Sequence, residues 1–403
     1  MKFRATTMVL ALVAVTLFNF QFANAQGMEF FDGTWEEAKA TAKKENKSIF
    51  LDAYASWCGP CKNMAKHIFT EGSVGEFYND NFINVKIDME KGEGIALSEE
   101  FAVVAFPTYL YFNTKGELVH RALGQKPVKA FIGDGENALN ESTQLVTLEN
   151  RYAAGNREAD LLRNLALALY DSGAEPKAVD KVSAEYINGL SKEEIQGKEA
   201  LAFLLKTTQS PKAYPAQLLL NNKDKVIELF GKDEFNTKFK RLAAQGTLYA
   251  ARDKDVLALE DAKSFASRAL GSDLGQFNQQ LDMLYAERTE DWDLYTKSAT
   301  KYYDTVPTNE LSWNELNTVA WNFFLHVDGE SNLKNALGWA EQSVKFDSNS
   351  YNLDTQASLL YKMGKHKKAL KVANKAIGAA KEEGLSPDAT MKLVKEINMA
   401  RGK

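Results

Sequence analysis

Cys58 and Cys61 are the only two cysteines in the chain, and they stand together in Trp57-Cys58-Gly59-Pro60-Cys61. Two thiols separated by two residues can close a short disulfide and reopen it, and no third cysteine competes for either sulfur. The chemistry this spacing points to is dithiol–disulfide exchange. A structural zinc site would want four soft ligands in tetrahedral array. Here two cysteines and four scattered histidines offer no spacing that completes a finger.

The elements around the pair must position it. Residues 49–55 form a compact apolar run broken only by Asp52, a strand expected at the centre of a sheet. Residues 35–46 read as a helix with Thr34 as its cap. Glu36 and Glu37 lie in its first turn and Lys43, Lys44 and Lys47 near its end, an order that suits the helix dipole. Strands are expected at 82–87, at 107–112 and, after the Asn113-Thr114-Lys115-Gly116 turn, at 117–121, with a closing helix at 126–138. Strand followed by helix favours parallel pairing. The last two strands sit too close for a helical crossover and should form an antiparallel hairpin.

Cys58 falls where the first strand ends, just before or at the start of a helix that carries Pro60 in its opening turn. Proline is tolerated there because the first helical N–H groups need no internal partner. The same free N–H groups and the dipole stabilise an anion, which favours a Cys58 thiolate. Cys61 lies one turn in and is expected to be the more buried sulfur. Cys58 is therefore the attacking thiol and Cys61 the resolving one. Asp52 has two readings: a buried acid whose raised pKa lets it exchange a proton with Cys61, or a strand-edge acid facing solvent. Pro107 suits the first position of a strand, and a cis bond there would need a reason.

The segment Phe50-Leu51-Asp52-Ala53-Tyr54-Ala55-Ser56-Trp57-Cys58-Gly59-Pro60-Cys61-Lys62 resembles the active-site segment of thioredoxin. The resemblance covers residues 33–140, about a quarter of the chain, and the five-residue motif is specific. It implies an α/β thioredoxin-like domain. It implies that Asp52 is the buried acid serving Cys61. It further implies that Pro107, in Phe106-Pro107-Thr108, is a cis proline facing the disulfide. Trp57, Gly59, Pro60, Phe106 and Pro107 would then contact the substrate chain. No cofactor beyond the Cys58–Cys61 disulfide is implied. One departure concerns the lysine that thioredoxins often pair with the buried acid: taking Asp88 as the reference, Asn84 stands in its place, and Lys86 on the same strand would have to substitute. A second is the continuation past the active helix through His67-Ile68-Phe69-Thr70 and residues 74–77, which resembles exported thioredoxin-like domains of bacterial envelope proteins. That group includes the reducing domain of transmembrane thiol reductases. Lys62, Asn63 and His67 are explained as well by a surface face, and His67 is given no proton-transfer role.

The chain starts with Lys2 and Arg4, an apolar run over 7–20 and then Ala23-Asn24-Ala25. This pattern fits a secretory signal over 1–25, cut after Ala25; the apolar run is short for an uncleaved membrane anchor. No cysteine follows it to carry a lipid. Localisation in the periplasm or outside the cell is expected. Exported proteins usually show structural disulfides, so a chain with only one CxxC pair must fold on packing alone. At 403 residues it exceeds one ordinary domain. A formal net charge of −5 and the lack of a basic stretch exclude a nucleic-acid groove.

From about 145 onward, apolar positions recur at helical spacing, for example over 159–170, 177–186, 198–207, 223–229, 235–247 and 261–270. Gly155, Gly173, Gly189 and Gly246 are expected near helix ends. Ala336, Ala340 and Ser343 are echoed by Ala369, Ala373 and Ala376, thirty-three residues later. Small residues so spaced let paired helices approach closely, and the period resembles tetratricopeptide-type repeats. First helices are expected at 317–326 and 355–362, and second helices at 332–346 and 366–380. Trp313, Trp321, Trp339, Phe323, Phe324 and Phe346 are assigned to the core. The expected division is a signal (1–25), a thioredoxin-like domain (27–140), a helical domain (145–311) and tetratricopeptide-like hairpins (312–403).

Two functions fit. One is an exported thiol–disulfide oxidoreductase that reduces or isomerises disulfide-containing proteins of the cell envelope. The Gly-Pro pair between the cysteines resembles the reducing members of the family. A membrane thiol reductase would supply its electrons, and the helical region would engage partners or form a homodimer. The other is a helical-repeat scaffold whose thioredoxin unit docks partners with little turnover. The intact cysteine pair argues for the first.

Overall fold

The computed structural model describes residues 27–402; the expected signal over 1–25 lies outside them. The chain divides into two compact units with the border between Glu175 and Pro176.

In the first unit, β1 (Ser48–Tyr54), β2 (Phe82–Asp88), β3 (Thr108–Phe112) and β4 (Leu118–Leu123) make one sheet in the order β2-β1-β3-β4. β1 pairs parallel with β2 and antiparallel with β3, and β3 pairs antiparallel with β4. The expected hairpin and the central place of β1 are both present. Its helices are α1 (Trp35–Glu45), α2 (Gly59–His67), α3 (Gly72–Asn81), α4 (Gly94–Glu100), α5 (Val128–Leu139), α6 (Leu145–Ala153) and α7 (Ala159–Asp171).

Side-chain alternation along β1 sorts the two faces. Ile49, Leu51 and Ala53 join a core with Trp35 and Ala38 of α1 and Leu97 of α4. Phe50 joins the opposite core, with Met64 of α2, Tyr78 of α3 and Phe131 of α5. Thr34 caps α1 in a reciprocal box with Glu37, and the helix ends on Asn46 in the left-handed region. α4 was not anticipated: seven residues give too short a periodic signal to stand out. α5 begins at Val128 rather than 126 because Pro127 is its N-cap with extended backbone, and the residue before a proline is disfavoured in a helix; Lys126 is buried and pairs with Asp134 at 3.0 Å.

The first unit extends past the expected limit at 140. α6 and α7 pack on β4. The Leu145 N–H donates to Nδ1 of the buried His120 at 3.2 Å. Lys126 also lies 3.8 Å from Asp171 on α7. The polar break over 141–144 is thus a turn within the unit, since the α6 face must be buried somewhere and β4 offers the surface.

The second unit holds α8 (Pro176–Asn188), α9 (Lys192–Ile195), α10 (Lys198–Thr207), α11 (Tyr214–Asn221), α12 (Lys223–Phe230), α13 (Lys232–Arg252), α14 (Val256–Leu270), α15 (Phe277–Thr289), α16 (Trp292–Thr305), α17 (Trp313–His326), α18 (Glu330–Phe346), α19 (Ser350–Lys362), α20 (His366–Glu382) and α21 (Asp388–Ala400). It contains no strand among the described residues. It runs past 312 without a break into separate units.

α17 packs on α18 and α19 on α20, as helical hairpins. Ala336, Ala340, Ser343, Ala369, Ala373 and Ala376 are all fully buried, as the close-approach reading requires. Gly246 departs from expectation. It lies inside α13, where a Cβ would stand 2.8 Å from Pro211 Cγ and 3.3 Å from Ala262 Cβ, so close approach rather than helix termination selects glycine. Among the aromatics, Phe323 is in the core and Phe324 and Trp339 pack against it, but Phe346 is exposed and Trp321 lines a cavity. Helical spacing fixes a face, not how fully a neighbour covers it.

Candidate active site

β1 runs out at Tyr54, and Ala55 accepts the Cys58 N–H at 3.1 Å in the turn that follows. Cys58 is the N-cap of α2, with extended backbone, and Pro60 sits in the first turn. Its Sγ accepts the Cys61 backbone N–H at 3.1 Å. That N–H is one of those the helix itself leaves unpaired. The same contact and the helix dipole would hold negative charge on this sulfur once the pair is reduced. Cys58 and Cys61 are joined as a disulfide, with Cα atoms 5.3 Å apart.

The expectation that Cys58 is the more exposed sulfur is not met in this oxidised form. Cys58 is 2% exposed and Cys61 3%. Both cluster with Ala55, Tyr54 and Phe106. The sulfurs shield each other, and Phe106 packs over them from the loop before β3. The two cysteines are instead distinguished by position: Cys58 caps the helix, whereas Cys61 lies within it.

Trp57 is 66% exposed and meets Phe106 edge-on, ring centroids 6.0 Å apart. Its Nε1–H donates to Glu90 Oε2 at 2.8 Å. Glu90 and Lys91 lie just after β2; Lys91 donates to Ser56 Oγ at 3.3 Å and pairs with Asp88 at 2.9 Å. The Lys91 bond holds the Asp88 carboxyl below its usual value. Sequence reasoning missed Glu90, because nothing in its spacing links it to a tryptophan thirty-three residues away. The Phe106–Pro107 bond is cis and Pro107 is buried at the start of β3. A Cβ on Gly59 would meet nothing within 4 Å, so the backbone there is open to an approaching chain.

Asp52 is fully buried. It alternates onto the β1 face that carries Phe50, the face on which Met64 of α2 packs, one turn beyond Cys61. The strand-edge alternative is thereby removed. Its register partners are Lys86 on β2 and Tyr109 on β3. Neither carboxylate oxygen accepts a hydrogen bond, and Lys86 Nζ stands 3.6 Å from Oδ2, a charge contact rather than a direct hydrogen bond. Burial drives the Asp52 pKa up, the Lys86 charge draws it partly back, and the balance falls at about 7. Lys86 lies over the Tyr54 ring at 4.8 Å, with Phe69 at 5.7 Å and Phe30 at 5.8 Å. Asn84, at the place where thioredoxins often carry a lysine, instead donates to the Glu29 carbonyl and to Asn79. His67, at the end of α2, is exposed.

Residues 31–114 match the family model described as Thioredoxin-like. The front domain is thioredoxin-like. The matched span holds Asp52, both cysteines and Pro107. The chain is 29% identical over 109 residues to the thiol:disulfide interchange protein DsbD of Pseudoalteromonas atlantica, covering 26% of this chain and 18% of that one. It is 38% identical over 97 residues to chloroplastic thioredoxin Y of Oryza sativa subsp. japonica, covering 24% of this chain and 54% of the relative. A solution structure of a candidate disulphide-isomerase from Bacteroides thetaiotaomicron aligns at 36% identity over 29% of this chain and 98% of the other, with a TM-score of 0.27. The chain therefore spans less than a fifth of that DsbD and about half of thioredoxin Y. The thioredoxin-like domain carries the CxxC pair of a disulfide oxidoreductase fold. Among the described residues, no group of three or more His, Cys, Asp or Glu is placed to hold a metal ion. No described helix is long and apolar enough to cross a membrane.

Proposed function

We propose that the protein is an exported thiol–disulfide oxidoreductase working in the reducing or isomerising direction on protein disulfides, with the helical unit engaging its partners. The observation that carries this reading is Cys58 Sγ receiving the Cys61 N–H at the mouth of α2. In the reduced protein the Cys58 thiolate attacks one sulfur of a substrate disulfide. A new S–S bond joins Cys58 to the substrate, the substrate bond breaks, and the departing thiolate takes a proton. Cys61 then gives its proton to Asp52, attacks the Cys58 sulfur and releases the second substrate thiolate. Two electrons pass from the cysteine pair to the substrate, leaving the disulfide seen here. A carboxyl group balanced near pH 7 suits that transfer, since it can both take and return the proton.

Trp57, Gly59, Pro60, Phe106 and Pro107 frame the pair on the side from which a chain would approach, and we assign them to substrate contact. Regeneration calls for an external dithiol, and a membrane thiol reductase is the class of donor that fits an exported chain. No cofactor beyond the cysteine pair enters the scheme. A homodimer through the helical unit is compatible with it.

Titration of the Cys58–Cys61 couple in glutathione buffers tests the direction. A potential near the thioredoxin end of the scale, about −270 mV, together with reduction of insulin, is expected. A potential near about −120 mV would make the protein an oxidant and overturn the reducing assignment. Cys61→Ser should accumulate mixed disulfides with substrates while Cys58→Ser should not, because only the first keeps the attacking thiol and lacks the resolving one.

A further inference from the structure

The second unit contains a cavity of about 420 Å³ where α17, α19 and α21 converge. Asp354 is the one charged residue in its wall; no lysine or arginine lines it. Asp354 Oδ1 accepts the Thr390 hydroxyl at 2.6 Å, and the residue makes no other hydrogen bond or ion pair among the described residues. Asn317 Oδ1, on α17, is buried and accepts no hydrogen bond. Ser350, also in the lining, spends its N–H and Oγ–H on Glu383 at 3.0 and 2.5 Å, so it offers Asp354 no donor; Glu383 itself is exposed and lies outside the lining. Trp321 and Tyr351 give the cavity aromatic faces, and Tyr351 is exposed.

These features select a ligand by chemistry. A buried acceptor without a donor, as Asn317 Oδ1 is, is costly, so a donor-bearing ligand gains from entering. A carboxylate with no counter-ion selects positive charge. Burial holds the Asp354 carboxyl above its usual value, the direction an incoming cation would reverse. Flat aromatic walls favour a planar cation over a compact ammonium, because a guanidinium stacks on rings while its N–H groups reach oxygens at its edge. We propose that this cavity receives the arginine side chain of a partner polypeptide, with Asp354 as its counter-ion. The proposal rests on the reading that the helical unit engages partners, and gives that contact a chemistry.

The test uses the full chain and the peptide acetyl-Gly-Arg-Gly-amide, its citrulline counterpart and ethylguanidinium. Binding is followed by the indole N–H resonance of Trp321, assigned from its loss in Trp321→Phe. The arginine peptide should shift that signal, the citrulline peptide should not, and Asp354→Asn should weaken arginine binding by at least roughly tenfold. Equal binding of the arginine and citrulline peptides overturns the proposal, and this comparison needs no substitution. Unchanged affinity in folded Asp354→Asn overturns it as well. Ethylguanidinium binding as tightly as the peptide would replace a polypeptide partner with a free small cation. Insulin reduction in the same samples separates the two readings: lost arginine binding with intact reduction removes only this site.

Discussion

Lys86 Nζ stands 3.6 Å from Asp52 Oδ2, across the parallel β1–β2 pairing in which the two residues are direct register partners. Asp52 is buried completely, whereas the Lys86 side chain keeps 27% of its surface exposed and rests against Tyr54, Phe30 and Phe69. The lysine thus brings charge to a buried acid without being buried itself. Asn84, two residues earlier on the same strand, is the register partner of Phe50 and donates to Asn79 Oδ1 and the Glu29 carbonyl, so register alone puts Lys86 beside Asp52.

Removing that charge should move the proton chemistry. Lys86→Met leaves the burial that raises the Asp52 pKa and removes the lysine charge that lowers it, so Asp52 should titrate above about 7. The pH at which Cys61-dependent resolution of a mixed disulfide reaches half its maximum should shift upward. An unshifted profile in a folded Lys86→Met protein would detach Asp52 from the resolving step.

Asp52 should also cost stability as it ionises. Its folded pKa of about 7 lies above the unfolded value near about 3.9, so between those values the folded state holds the proton that the unfolded state has lost. Stability contributed by the neutral acid is therefore full below about pH 4 and falls as pH rises toward about 7. Asp52→Asn should be more stable than the parent at pH 8, by roughly 2–4 kcal/mol as an upper range, and little different at pH 4. Urea unfolding of the two oxidised proteins at both pH values reads this, and an equal difference at pH 4 and pH 8 would contradict the titration.

A fragment of residues 27–175 should fold and reduce insulin, while one ending at 140 should be markedly less stable. The shorter chain loses the Leu145 N–H to His120 contact, the Asp171 partner of Lys126 and the cover of α6 and α7 over β4. Comparison of their melting temperatures decides it. Equal stability would return the boundary to 140.

Ala373→Leu should destabilise the α19–α20 hairpin by about 1–3 kcal/mol, because Ala373 is fully buried where α20 packs on its neighbours and extra methylenes must displace them. Thermal unfolding should show the loss, and insulin reduction at a temperature where the protein is folded should be unchanged. A stable Ala373→Leu protein would mean that small size is not required there.

Much of the candidate site can be read from local sequence. Cys58 and Cys61 flank a helix start because an apolar strand, a turn and Pro60 follow in order, and each of those signals acts over a few residues. The central strand, the β3–β4 hairpin and the small-residue seam of Ala336, Ala340, Ala369 and Ala373 are legible for the same reason: their periodicity is written in neighbouring positions. Tertiary structure decided what depends on distant partners. It gave Asp52 its burial and Lys86 as its counter-charge, put Glu90 on Trp57, and buried both sulfurs beside Phe106. It drew α6 and α7 onto β4, and it opened a cavity beside Trp321 where helical spacing had indicated core. Periodicity tells which side of an element is apolar; only the packed chain determines what covers that side, how completely, and which charges are brought within reach of one another.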